Sequence, residues 1–138
     1  VLARGIDDAG RAQSIYGSAW RRRRDREKFD RTLEFARLLP KLRSRVDRDL
    51  RRTKVSSDRV IACILRLIDL ELFRVGSAVY AKEHDSFGVT TLRQRHVRVS
   101  GATVLVDYDG KGGQRHRRTV RDRRIARTVS RRGSIPIP

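Results

Sequence analysis

The chain has 138 residues, 38% of them hydrophobic, which is enough for one domain with a modest core and argues against wholesale disorder. Thirty-four Lys/Arg against sixteen Asp/Glu give a net charge of +18, and an excess of that size calls for a polyanionic partner, nucleic acid foremost. One cysteine, Cys63, excludes an internal disulfide and a thiolate metal cluster; no apolar run reaches the length of a membrane span, and the opening residues, without a charged start and apolar block, are not expected to be a signal peptide. A cytoplasmic location is therefore expected, with no membrane partner.

The charge is uneven. Residues 21–54 carry fifteen Lys/Arg against six Asp/Glu, and residues 93–132 carry thirteen against three. The stretch between them, residues 55–92, is nearly neutral and apolar, so a core element flanked by two basic segments is expected. The plain alternative is arginine solvating exposed helix faces.

In chain order, residues 1–20 hold Gly5, Gly10 and Gly17 and read as loop or edge strand. From about Arg24, the helical spacing of Phe29, Leu33, Ala36 and Leu39 predicts an amphipathic helix ended near Leu38 by Pro40. Pro40 can open a second helix, with Leu42, Val46 and Leu50 on one face. Ser56 or Ser57 caps a third, Asp58 to about Phe73, apolar on most of its circumference. Gly76 breaks that run, and "SAVYAKEHD" reads as a short fourth helix capped by Ser77.

The period then changes. "HVRVS" alternates, Ser100-Gly101 is a two-residue hairpin signal, and "TVLVDYD" is β-branched. "QRHRRTV" returns as a third strand, and residues 121–131 read as a basic helix before the tail "RRGSIPIP". The fold class is α+β: helices about 24–85, a small antiparallel three-stranded sheet or hairpin about 95–120, and a last helix.

Between the strands lies "YDGKGGQRH", Tyr108–His116. A phosphate-binding P-loop needs Gly-Lys followed by Ser/Thr and a helix; here Lys111 is followed by Gly112 and Gly113 and then by strand residues. The stretch is a hairpin turn whose glycines supply positive φ.

The run "RVGSAVYAKEHDSFGVTTLRQRHVRVSG", followed by "GKGG" and preceded by "GRAQSIYG" and "WRRRRDREKFDRTLEFARLLPKLRSRVDRDL", resembles the type IB DNA topoisomerases of the bacterial and poxvirus kind. The likeness runs from about Gly10 to Ser130. It implies residues 1–20 as the end of a small N-terminal DNA-binding domain with its linker, residues 21–132 as part of a catalytic domain, and residues 133–138 as a tail. In that family a tyrosine attacks a DNA phosphodiester, forming a 3′-phosphotyrosine and expelling a 5′-hydroxyl, with no cofactor or metal.

The resemblance implies Arg74 as the first catalytic arginine and Lys111 as the general acid to the leaving oxygen, on a hairpin entering the minor groove. A guanidinium suits phosphoryl oxygens because it is planar, bidentate and always charged. A lysine among cations gives up its proton more readily. The resemblance further implies Gln13, Tyr16, Tyr80 and Thr91 as DNA contacts. Ser14 stands where the family carries a further tyrosine.

The family's second arginine, its histidine and its nucleophilic tyrosine fall beyond the matched stretch. Tyr108 and His116 belong to the hairpin, and His84 and His96 match no catalytic position. The expectation is a topoisomerase fragment, inactive alone, monomeric, with double-stranded DNA as partner, no small-molecule substrate, and a bacterial nucleoid location. A tyrosine recombinase fragment and a non-catalytic basic DNA-binding module are the alternatives.

Overall fold

The computed structural model describes residues 1–71 and 73–130. The "RRGSIPIP" tail, which includes the last residue of the expected final helix, Arg131, falls outside them. Two compact units are distinguished, Val1–Lys41 and Leu42–Pro138, with the boundary inside a helix and one residue after Pro40. The α+β class holds: among the described residues there are four α-helices and two antiparallel sheets.

In the first unit, β1 (Ala3–Ile6) pairs antiparallel with β2 (Ala12–Ile15), from Ala3 opposite Ile15 to Ile6 opposite Ala12. Of the two readings of this stretch, loop or edge strand, the strand holds; four-residue strands holding glycine and polar residues give little period-two signal. Asp7 closes the turn: Oδ1 accepts the N–H groups of Ala9 (3.1 Å) and Arg11 (2.9 Å), while Gly10 takes a φ of +73°. Those bonds, with one from Gln13, hold the Asp7 carboxyl below its ordinary range.

Helix α1 runs unbroken from Ser18 to Arg51, through Pro40. The predicted division into two helices is thus wrong. Proline cannot donate to the carbonyl of Ala36, but its fixed φ suits a helix, and the leucines, lysine and arginines on both sides are strong helix formers. The expected apolar face before Pro40 is not buried: Phe29 and Leu33 are exposed among the described residues.

The second unit carries the core. Val46 and Leu50 of α1 are buried, as the spacing predicts, together with Val60, Cys63, Ile64 and Leu67 of α2 (Ser57–Glu71). Ser56 Oγ accepts the Arg59 N–H at 3.4 Å, a long cap bond. Helix α3 spans Ala78–Glu83; Ser77 occupies its N-cap position but makes no side-chain cap bond.

Strands β3 (Val97–Ser100), β4 (Thr103–Asp109) and β5 (Arg115–Arg121) form the sheet in that order, antiparallel throughout. The β3–β4 turn is Gly101-Ala102, one residue later than the hairpin signal, since Ser100 pairs with Thr103. Gly101 has a φ of +58°, which places it at the first turn position. On β4, Val104, Val106 and Tyr108 face the core, and Val120 of β5 joins them. Asp122 then caps α4 (Arg123–Ser130), its Oδ1 accepting the N–H groups of Arg124 (2.7 Å) and Ile125 (3.2 Å).

Two sets of hydrogen bonds lock these elements together. The guanidinium of Arg59 on α2 donates to Thr128 Oγ1 of α4 (3.0 Å) and to the carbonyls of Arg52 (2.6 Å) and Thr53 (3.1 Å). The second contact is backbone on backbone. The segment after α2 pairs with the 88–91 turn: Val89 N–H donates to Arg74 O (2.8 Å), and Thr90 N–H and Oγ1 both donate to Val75 O (2.8 and 2.7 Å).

Where these segments cross, a Cβ on Gly88 would lie 2.5 Å from Gly76 Cα and N, and Gly76 itself has a φ of +100°. Only glycine fits on either side. Gly88→Ala must push two backbones apart, and a destabilisation of roughly 1–3 kcal/mol is expected, the cost of overpacking; urea denaturation measures it, and a change within experimental error would contradict the packing described.

Candidate functional site

The Gly76–Gly88 crossing determines where Arg74 stands. Phe73 is buried, Arg74 is exposed, and its carbonyl is held by Val89, so the guanidinium leaves a fixed backbone. Thr91 lies behind this crossing. Its hydroxyl accepts the Gly88 N–H (3.0 Å) and donates to Gly88 O (3.2 Å), so it already serves the turn that supports Gly76.

Lys111 stands in a short 3₁₀ turn, Lys111–Gly113, between β4 and β5. The turn is tied at its root: Phe87 N–H donates to Asp109 O (2.9 Å), Gly110 N–H to Gln114 O (2.8 Å), and Gly113 N–H to Gly110 O (3.1 Å). Gly112 and Gly113 have φ of +75° and +70°, which is why glycine follows the lysine.

Arg74 and Lys111 line one open cleft of about 180 Å³ with Ser77, Tyr80, Ser86 and Phe87. Neither cation forms an ion pair with a described residue. A guanidinium, an ammonium, two serine hydroxyls and a phenol around a small cavity suit an oxyanion, since every one of these groups can donate a hydrogen bond. Three of these residues, Ser77, Ser86 and Phe87, are not singled out for the site by the sequence. Ser77 takes the N-cap position that the sequence predicts, without a side-chain cap bond, and also lines the cleft. Ser86 and Phe87 sit in a stretch with no period to mark it.

The other residues singled out by resemblance lie elsewhere. Gln13, on β2 in the first unit, donates its amide to Asp7 Oδ2 at 3.0 Å. Tyr16 stacks on Trp20 with ring centroids 3.9 Å apart and planes 13° from parallel, and Arg24 lies 5.8 Å from the indole centre. Tyr108 is 5% exposed and does not line this cleft, and burial pushes its phenol above the ordinary value.

Phe87 has cations on it too: the guanidinium carbons of Arg93 and Arg95 lie 5.1 and 5.8 Å from its ring centre. His96 packs against the same ring edge-on at 4.4 Å. Its Nδ1 accepts the N–H of Arg93 at 3.1 Å. Among the described residues, no group of three or more His, Cys, Asp or Glu is placed to share a metal ion, and no helix is long and apolar enough to cross a membrane.

The sequence of this chain has counterparts among known proteins. The family described as eukaryotic DNA topoisomerase I, catalytic core, matches residues 17–130, and the chain belongs to that family. It is 34% identical over 122 residues to the DNA topoisomerase 1B of Acanthamoeba polyphaga mimivirus, an overlap covering 88% of this chain and 36% of the relative. To the DNA topoisomerase 1B of Vaccinia virus (strain Copenhagen) it is 21% identical over 112 residues, covering 81% and 36%. To the DNA topoisomerase 1 of Mycosarcoma maydis it is 32% identical over 88 residues, covering 63% and 8%. The chain thus spans little more than a third of the length of its viral relatives. The resemblance to type IB topoisomerases is upheld over the recombinase alternative. These relatives are viral or eukaryotic, so the bacterial nucleoid location finds no support.

Burial, reinforced by the nearby Arg95 and Arg93 charges and opposed by Asp85 and Asp109, holds the His96 imidazole below its ordinary pKa of 6.5. The unfolded chain therefore binds a proton that the folded chain refuses, and stability falls as pH drops below about 6.5. Urea midpoints taken between about pH 8 and about pH 5 should decline for the native chain and decline less for His96→Gln; equal slopes would show that His96 is not the group responsible.

Proposed function

We propose that this chain provides part of the DNA-gripping and phosphoryl-transfer apparatus of a type IB topoisomerase, acting on double-stranded DNA. The observation that carries the reading is the convergence of Arg74 and Lys111, distant in sequence and free of ion pairs with described residues, on one small cleft. In this reading residues 1–20 end a small DNA-binding domain and residues 21–132 belong to the catalytic domain.

The chemistry is transfer of a DNA phosphodiester to a tyrosine hydroxyl with departure of the 5′-oxygen. Arg74 donates to the non-bridging phosphoryl oxygens, where negative charge grows in the transition state, from a backbone that need not reorganise. Lys111 hands a proton to the leaving 5′-oxygen as the bond to phosphorus breaks, and takes one back when the strand reseals. Tyr80, on the wall of the cleft, and Thr91, Gln13 and Tyr16 contact the duplex. No ATP or metal enters these steps, because the phosphotyrosine keeps the bond energy, and a monomer suffices.

None of the tyrosines at positions 16, 80 and 108 matches the family's nucleophile, so the 138 residues are expected to bind DNA without relaxing it. Affinity for a short duplex should fall steeply with salt. Replacing Lys111 with Ala should reduce the slope of log K against log salt by about 1, one phosphate contact fewer. Arg74→Ala should act similarly. Plasmid relaxation by the same 138 residues should be undetectable. A flat salt response would refute the DNA reading, and relaxation would refute the assignment of the missing nucleophile.

A further inference from the structure

Beneath Lys111 lies a column of rings that the proposed chemistry does not use. Phe73, the residue before Arg74, stacks on Tyr108 with centroids 6.2 Å apart and planes 30° from parallel. Tyr108 in turn stacks on His116 at 5.2 Å and 24°. His116 then covers Gly110, the residue before Lys111. A Cβ at Gly110 would lie 2.5 Å from His116 Cδ2 and 2.6 Å from Nε2. The column therefore begins one residue from the cleft's arginine and ends one residue from its lysine.

We propose that His116 is a positioning residue for Lys111: its ring, seated on Tyr108, forms the platform on which Gly110 rests. The column transmits the position of the Arg74 segment to the lysine turn. Several observations converge on this. Tyr108 is buried, so the platform's base does not move with solvent. His116 pairs directly with Tyr108 across β4 and β5, so its ring has the correct face by register. Gly110 has a φ of −99°, a conformation open to any residue, so the His116 ring and not the backbone angle demands glycine there. The role needs a flat ring, not a charge, so phenylalanine should fill it.

The inference rests on the reading of Lys111 as a DNA-facing cation, and the test separates the two. Amide hydrogen exchange of Gly110 and Gly113 reports the turn without any DNA. In His116→Ala these amides should exchange roughly 3- to 10-fold faster, the equivalent of one aromatic pair, while those of Val104 and Val120 in the sheet stay unchanged. His116→Phe should restore native exchange. Gly110→Ala should speed exchange in the native background and have no effect in His116→Ala, where the obstructing ring is gone.

With a short duplex, the affinity loss caused by Lys111→Ala should shrink to less than about 2-fold in the His116→Ala background and return with His116→Phe. Unchanged turn exchange in His116→Ala, or a Lys111 effect of equal size in both backgrounds, overturns the proposal. If His116→Ala loosens the whole sheet, the Gly110→Ala and His116→Phe exchange results decide alone. Absence of duplex binding by the native chain would sink the DNA reading and leave the exchange arms to judge the platform.

Discussion

The crossing of two backbones at Gly76 and Gly88 is the contact on which the cleft depends. One strand of that crossing carries Arg74 out of α2, and the other leads from Phe87, whose amide fastens the root of the lysine turn at Asp109. No side chain intervenes, so the separation of the two segments is fixed by van der Waals contact between main chains. A side-chain contact could relax by changing rotamer; this one can relax only by moving the elements themselves. Thr91 braces the arrangement by bonding both polar backbone atoms of Gly88.

The sheet supplies the second half of the site through register. Period-two alternation on β4 sends Val104, Val106 and Tyr108 inward and leaves the turn beyond them at the rim. Tyr108 is thus both the last core residue of the strand and the base of the aromatic column. Burial of the core and placement of the lysine are one event, and a one-residue slip of β4 against β5 would turn Tyr108 outward and lose both.

Much of this was legible in the sequence, for identifiable reasons. "TVLVDYD" has strong alternation and β-branching, and the strand occupies those seven residues. Val46 and Leu50 follow the helical period and are buried. The Pro40 break failed because proline's missing donor weighs less than the helix propensity on both sides of it. The β1–β2 hairpin was obscure because its stability comes from Asp7 and not from apolar spacing. Arg74 and Lys111 could be named from a motif, but their convergence could not, since it depends on a glycine crossing that no periodicity encodes. His116 was passed over as a hairpin residue; its role depends on what its ring covers, which only the strand pairing reveals.

The bonds at the root of the lysine turn carry an entropic consequence. A free loop of five residues seized by a ligand would lose about 1–2 kcal/mol of backbone freedom for each residue ordered. Here Asp109, Gly110 and Gln114 are already held by main-chain bonds before any ligand arrives. What remains to be immobilised is chiefly the lysine's own methylene stem, worth about 2 kcal/mol at most. The ordering cost of the turn is met when the chain folds, so nearly all the attraction between that ammonium and an anion is available for holding it.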